Sequence, residues 1–147
     1  MEPGIVLMQI KVQYTDNTII YYENFNEMID TTNVIEIDGN DNGLISLPDN
    51  MDFPNLKILN CSSNYLTSLP LNMKCPNLID FDCSDNNLIS LPDMEFPNLI
   101  TFNCSENNLT ALPSNMNFPK LTHFFCSYNY LTTLACDMIL PIPGSTY

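Results

Sequence analysis

Apolar positions in this chain recur in whole blocks and do not follow the helical spacing of three to four residues. The pairs Leu47-Pro48, Leu69-Pro70, Leu91-Pro92 and Leu112-Pro113 open units of 22, 22, 21 and 22 residues. Each unit carries the pattern L-x-x-[LF]-x-C-x-x-N-x-L. Leu56, Leu59, Cys61, Asn64 and Leu66 fill it first. Leu78, Phe81, Cys83, Asn86 and Leu88 fill it again, then Leu99, Phe102, Cys104, Asn107 and Leu109, then Leu121, Phe124, Cys126, Asn129 and Leu131. A degenerate set, Val34, Ile37, Gly39, Asn42 and Leu44, precedes them, and a half-unit, Leu134 to Pro141, follows.

Alternation around each L-x-C predicts a strand of about three to five residues. The next Asn column, Asn42, Asn64, Asn86, Asn107 and Asn129, places a side chain able to hydrogen-bond nearby backbone at each turn. The Pro column, Pro54, Pro76, Pro97, Pro119 and Pro141, keeps the return segment from becoming a long helix, so extended or 3-10 segments are expected there. Met51, Met73, Met94, Met116 and Met138 are expected to fill the interior with Phe53, Phe96 and Phe118, while Cys75 and Leu140 stand in the Phe column. Residues 5–23 read as a β-hairpin that covers the N-terminal end, and Phe25 to Asp30 as a short helix. The expected organisation is a cap over 1–30, five repeats over 31–133 with the first degenerate, and a half-repeat with a tail over 134–147.

Five consecutive matches to one pattern make the chain resemble the leucine-rich-repeat proteins, in the short form whose unit ends in Leu-Pro. The Met-x-Phe-Pro-Asn-Leu before the strand and the Cys-Ser-x-Asn after it are similar to leucine-rich-repeat proteins of mimivirus-like giant viruses. The resemblance spans about residues 25–141. It implies a repeat solenoid of the α/β-class leucine-rich-repeat fold, with short parallel strands on a concave face and extended or 3-10 convex segments. It also implies protein–protein contacts as the common role, sometimes as the recognition half of a ubiquitin ligase or an F-box adaptor.

Length and charge narrow the function further. At 147 residues the chain has the size of one domain. Seventeen acids face four lysines and no arginine, for a net charge of −13. Such a balance argues against nucleic acid, which needs a basic patch, and against an anionic membrane surface. No apolar run reaches a membrane span, and Met1-Glu2-Pro3-Gly4 lacks the basic start of a signal peptide.

Four of six cysteines, Cys61, Cys83, Cys104 and Cys126, occupy one repeat column, as Cys75 and Cys136 do not. A column reads as reduced core thiols, and no paired C-x2-C spacing suggests zinc. No cofactor or metal is expected, and a reducing, intracellular compartment follows, the host cytoplasm if the source is viral. Three N-x-S/T triplets, at Asn60, Asn103 and Asn108, read as by-products of an Asn-rich repeat.

Positions between the buried Leu and Cys point away from the core. Asp38, Asn60, Asp82, Asn103 and Phe125 are expected in one lateral row, with Glu36, Asp80 and His123 beside it. Asp41, Ser63, Asp85, Glu106 and Tyr128 are expected at the rim. This face is acidic on its first strands and aromatic on its last, where His123, Phe125, Tyr128 and Tyr130 gather. Three readings apply to it: a solvated surface, a docking face for a partner with a basic patch and an apolar anchor, and a cation site. The docking reading names Glu36, Asp38, Asn60, Asp80, Asp82, Asn103, His123, Phe125 and Tyr128. Catalysis is not expected, because His123 stands without a visible Ser-His-Asp or Cys-His arrangement. A competing reading is a structural or self-assembling protein that pairs through its C-terminal edge and the patch of Phe125, Tyr128 and Tyr130. Oligomeric state stays open.

Overall fold

The computed structural model describes residues 9–28 and 30–132. In chain order its strands are β1 (Ile10–Tyr14), β2 (Ile19–Tyr22), β3 (Val34–Asp38), β4 (Asn50–Asp52), β5 (Ile58–Asn60), β6 (Asn72–Lys74), β7 (Asp80–Asp82), β8 (Thr101–Asn103) and β9 (His123–Phe125). Seven form one sheet in the order β2-β1-β3-β5-β7-β8-β9, and β4 and β6 form a second. From β3 onward every neighbour in the large sheet is parallel, so each unit contributes one strand to a solenoid of about four turns. Among the described residues the only helical element is one 3-10 turn, Phe25–Glu27. The α-helical layer that an α/β class implies is therefore not seen there, and the short helix expected over Phe25 to Asp30 shrinks to that turn.

The N-terminal hairpin forms because its turn residues suit it. Asn17 takes a left-handed φ of 67° and donates its N–H to the Tyr14 carbonyl at 2.9 Å. Asn tolerates that region better than most residues. The Asp16 carboxylate accepts from the Thr18 N–H at 2.9 Å. β1 alternates buried and half-buried residues, with Ile10, Val12 and Tyr14 inside. β1 then pairs antiparallel with β3, the strand of the degenerate first unit. That pairing joins cap and solenoid in one sheet.

Fixed columns stack into the core. Leu59, Phe81, Phe102 and Phe124 occupy one register line of the large sheet and are buried. Phe81, Phe102 and Phe124 stack along it with centroids 5.3 and 5.7 Å apart. Phe96 and Phe118 stack at 5.8 Å on the return side and meet the strand column edge-on. Aromatic pairs in these geometries add roughly 0.5–1.5 kcal/mol each beyond burial. Cys61, Cys83 and Cys104 are buried free thiols, and Cys126 is half-buried. Cys136, Met138, Leu140, Pro141 and the half-repeat lie outside the described residues.

The Asn column does what its residue type allows. Asn86 donates to the carbonyls of Cys61, Cys83 and Ser84 at 3.0–3.2 Å, and its Oδ1 accepts from the Leu66 N–H at 2.9 Å. Asn64, Asn107 and Asn129 repeat this bridging between successive turns. Each satisfies backbone groups that the turn would otherwise bury unpaired. A second ladder follows the prolines. Asn55, Asn77 and Asn98 each donate to a carbonyl one turn back, those of Thr32, Pro54 and Pro76, at 2.8–3.0 Å.

Among the described residues the return side is extended, broken in each unit by a single turn in which Leu56, Leu78, Leu99 and Leu121 donate to the carbonyl three residues back, with no 3-10 helix. β4 and β6 pair in parallel, and Glu95 and Asn117 form a lone bridge further along. Between β6 and Glu95 the described pairing stops. There the third unit, of 21 residues, lacks the residue that is Asn50, Asn72 and Asn115 in its neighbours.

Candidate functional site

The register places the expected row in line. Asp38 lies opposite Asn60, Asn60 opposite Asp82, Asp82 opposite Asn103 and Asn103 opposite Phe125. A parallel row runs Glu36, Ile58, Asp80, Thr101, His123. Neighbours within each row are about 4.8 Å apart. The side chains alternate with buried Ile37, Leu59, Phe81, Phe102 and Phe124, which fixes their outward direction.

Half of this face is occupied with holding its own backbone. The Oδ1 atoms of Asp38, Asn60, Asp82 and Asn103 accept from the N–H two residues on, at 2.9–3.2 Å. These are Asx turns, which explains why four successive units carry only Asp or Asn there. The Ser62 and Ser84 hydroxyls donate to Asn60 and Asp82 at 2.7 and 2.6 Å. Ser62 is buried, and its hydroxyl also lies 2.7 Å from the Asn40 amide. Phe125 breaks the column, since a phenyl ring accepts no such bond.

The rim row is also conformational. Asp41, Ser63, Asp85, Glu106 and Tyr128 have φ of 50°, 54°, 52°, 55° and 55°, a left-handed position just before each ladder Asn. Nothing in the residue types at that column announces it, because Asp and Ser stand beside Glu and Tyr. Tyr128 is 82% exposed there.

Charge on the first strands is lower than the expected acidic end. The Lys11 ammonium of β1 bonds Glu36 at 3.0 Å and lies opposite Asp38 in register. Glu36 raises the Lys11 pKa through that bond and its charge, with Asp38 adding to it. Lys11 was out of reach of repeat reasoning because the cap has no repeat. On the middle strand the outward acids are Asp80 and Asp82, neither bonded to a lysine among the described residues, although Asp82 also holds its own turn. Burial is the main cause that raises the Asp80 pKa, and the neighbouring Asp82 charge adds to it. Asp82 shares its second oxygen with the Asn103 amide at 3.2 Å.

At the last strand two of the expected aromatic residues meet. His123 and Phe125 stack with centroids 6.5 Å apart, and the His123 Nδ1 lies 2.7 Å from the Thr122 hydroxyl. Phe125 and Tyr130 are exposed. A second apolar group, missed by the repeat, lies at the other end: Ile19 and Tyr21 of β2 are 47% and 57% exposed.

Clefts lie away from these rows. One of about 350 Å³ is lined by Tyr14, Asp16, Ile20 and Asp30 with neighbouring polar residues. One of about 320 Å³ separates the 3-10 turn from residues 42–48. A third, of about 340 Å³, sits on the return side between Lys74 and Glu95, where the pairing stops. None is lined by a residue of the expected docking set. No group of three or more His, Cys, Asp or Glu able to hold a metal occurs among the described residues. Burial pushes the Cys75 thiol up to about 12 and raises those of Cys61, Cys83 and Cys104 as well, so these thiols are poor nucleophiles at neutral pH.

No family model matches the chain, and no curated protein or solved structure matches it significantly.

Proposed function

We propose that this protein is a non-enzymatic interaction module of the leucine-rich-repeat type, whose outward sheet face docks a protein partner bearing a basic patch. The observation that carries this reading is the in-register row ending in Phe125, with Asp80 and Asp82 two strands before it. Acids steer a basic partner, and an exposed aromatic supplies affinity when the partner covers it. Asp80, Asp82, His123, Phe125 and Tyr128 are the residues assigned to contact, because Glu36 is already paired with Lys11. Asp38, Asn60 and Asn103 shape the surface through their turns, and Asp82 does so as well while keeping its charge unpaired by any lysine of the described residues. Buried, unbridged thiols among the described residues support a reducing compartment.

The test immobilises wild-type protein and the variant Asp80→Lys/Asp82→Asn/Phe125→Ala and exposes both to lysate of the source cell. Proteins retained by the wild type and lost by the variant are the expected result. Equal retention on both forms, with circular dichroism unchanged, would refute it. Exposure of Phe125, Tyr128 and Tyr130 together also favours a second reading, self-assembly through the C-terminal edge. A dimer in sedimentation that Phe125→Asp abolishes would establish that reading instead.

A further inference from the structure

β2 ends the seven-stranded sheet, with β1 on one side and no strand of the described residues on the other. Its sequence, Ile-Ile-Tyr-Tyr, is β-branched and aromatic, without charge or proline. Ile19, Ile20 and Tyr21 are exposed. Soluble proteins usually protect such an edge with lysine, proline or a bulge, because unpaired N–H and C=O groups template another strand. The described residues give β2 none of these.

Hairpin geometry fixes which groups are free. Tyr14 donates its N–H to the Thr18 carbonyl, so Tyr14 and Thr18 form a bonded pair. In an antiparallel ladder the bonded pairs alternate, which turns Ile20 and Tyr22 toward β1 and leaves the N–H and C=O of Ile19 and Tyr21 facing outward. On the side where Ile20 lies, the edge adjoins the 350 Å³ cleft that Tyr14, Asp16, Ile20 and Asp30 line. Both carboxylates accept backbone or amide hydrogen bonds, Asp16 from Thr18 and Asp30 from Thr32 and Asn33. Glu23 and Glu27 follow at the other end of the strand.

These charges decide between occupants. A second copy paired antiparallel through β2 would bring its own acidic flanks beside these, with −13 on each chain. A basic segment meets complementary charge at the same places. We propose that the outer edge of β2 docks an extended, basic peptide segment of another protein, which adds as an eighth strand and sets a lysine or arginine side chain in the cleft beside Asp16 and Asp30. Main-chain bonds to Ile19 and Tyr21 supply affinity, and the cleft supplies the choice of side chain. This site is separate from the row of Asp80 and Phe125 and stands whether or not that row binds a partner.

The test titrates the full chain with a fluorescent, end-blocked peptide of alternating threonine and valine carrying one central arginine and lysines at its ends. Companion peptides replace the basic residues by glutamate, or a residue next to the central arginine by proline. Fluorescence anisotropy is expected to report binding of the basic peptide alone, weakened at least about tenfold between low and high salt. Asp16→Asn/Asp30→Asn should weaken it about fivefold or more. Tyr21→Pro removes one outward N–H and should abolish it. Because that variant could fail to fold, amide exchange on the wild type provides a second reading: Ile19 and Tyr21 should become protected when the basic peptide is added. Equal binding of the glutamate peptide, no protection at Ile19 and Tyr21, or a dimer of the chain that Tyr21→Pro dissolves would each overturn the proposal.

Discussion

The same units build two sheets on opposite sides of the core, and only one of them is continuous. On the strand side, five parallel strands from β3 to β9 pair without interruption, although the units behind them measure 22, 22, 21 and 22 residues. On the return side, β4 and β6 pair, the ladder stops, and a single bridge resumes one unit later. The shortened unit is absorbed wholly by the return segment. The difference lies in what each side has to lose. Slipping the strand side by one residue would turn Phe102 and Cys104 outward and break the bonds of Asn107. The return side is held by its asparagines and by methionines, Met51 and Met94 buried and Met73 and Met116 half-buried, whose flexible side chains tolerate irregular packing.

Parallel substitutions in the two ladders test that contrast most strongly. Asn86→Ala would leave the buried Leu66 N–H without its partner and take one of two amide donors from each of the Cys61 and Cys83 carbonyls, which keep Asn64 and Asn107. The expected loss is about 3 kcal/mol, read as a lower urea midpoint. Asn77→Ala removes one bond to the Pro54 carbonyl at an exposed position and should cost under about 1 kcal/mol. Equal losses at the two sites would break the comparison.

Length can be changed directly. An asparagine inserted between Asp93 and Met94 restores the repeat length and should let the return ladder run on from Lys74. A gain of about 1 kcal/mol is expected, which thermal melting would report as a rise of roughly 4 °C. Deleting Asn72 is the mirror experiment and should lose the β4–β6 pairing and a similar amount of stability. If the insertion destabilises, the break on the return side is not a consequence of the missing residue.

Much of this is legible in the sequence alone. The columns of Leu, Phe and Cys predicted the strands and their burial, and the Asn column predicted its ladder. A repeat of fixed length carries its own register, so Asp38, Asn60, Asp82, Asn103 and Phe125 could be aligned from spacing alone. What spacing does not carry is the conformation within a turn or contacts from outside the repeat. The left-handed φ of Glu106 and Tyr128 follows from no residue preference. The Lys11–Glu36 pair depends on a hairpin that joins the sheet antiparallel. The Asx turns were available in principle, since Asp or Asn followed by Ser two residues later is their signature, but an outward position reads first as a surface. The third unit's missing residue was visible, yet which side would absorb it depends on the relative stiffness of two sheets.

Phe125 marks where the strand side gives up a turn bond for an aromatic surface. Phe125→Asn should restore the Asx bond to the Ser127 N–H and gain about 0.5–1 kcal/mol in chemical denaturation. The same variant should lose the docked partner. Gaining stability while keeping the partner would place the docking surface elsewhere.

Asp80 is the smallest and most informative case. Among the described residues its carboxylate accepts no hydrogen bond, and burial together with Asp82 raises its pKa. A raised carboxyl pKa means that the folded state holds the proton more tightly than the unfolded chain does. Stability contributed by that proton therefore falls as pH rises from the ordinary carboxylate range through the raised value, and the penalty is fully present at neutral pH. Asp80→Asn should accordingly stabilise the fold at neutral pH, by a few tenths of a kcal/mol after screening by solvent. The gain should vanish below the ordinary carboxylate range, where both side chains are neutral. Urea midpoints of the two proteins at the two pH values measure this difference directly. Tyr14, whose pKa is also raised by burial, titrates far above this window and leaves the comparison undisturbed. An acid that costs the fold a little and bonds to none of the described residues is spare for a basic partner, whereas Asp38, held in its Asx turn beside Lys11, is already committed to the fold.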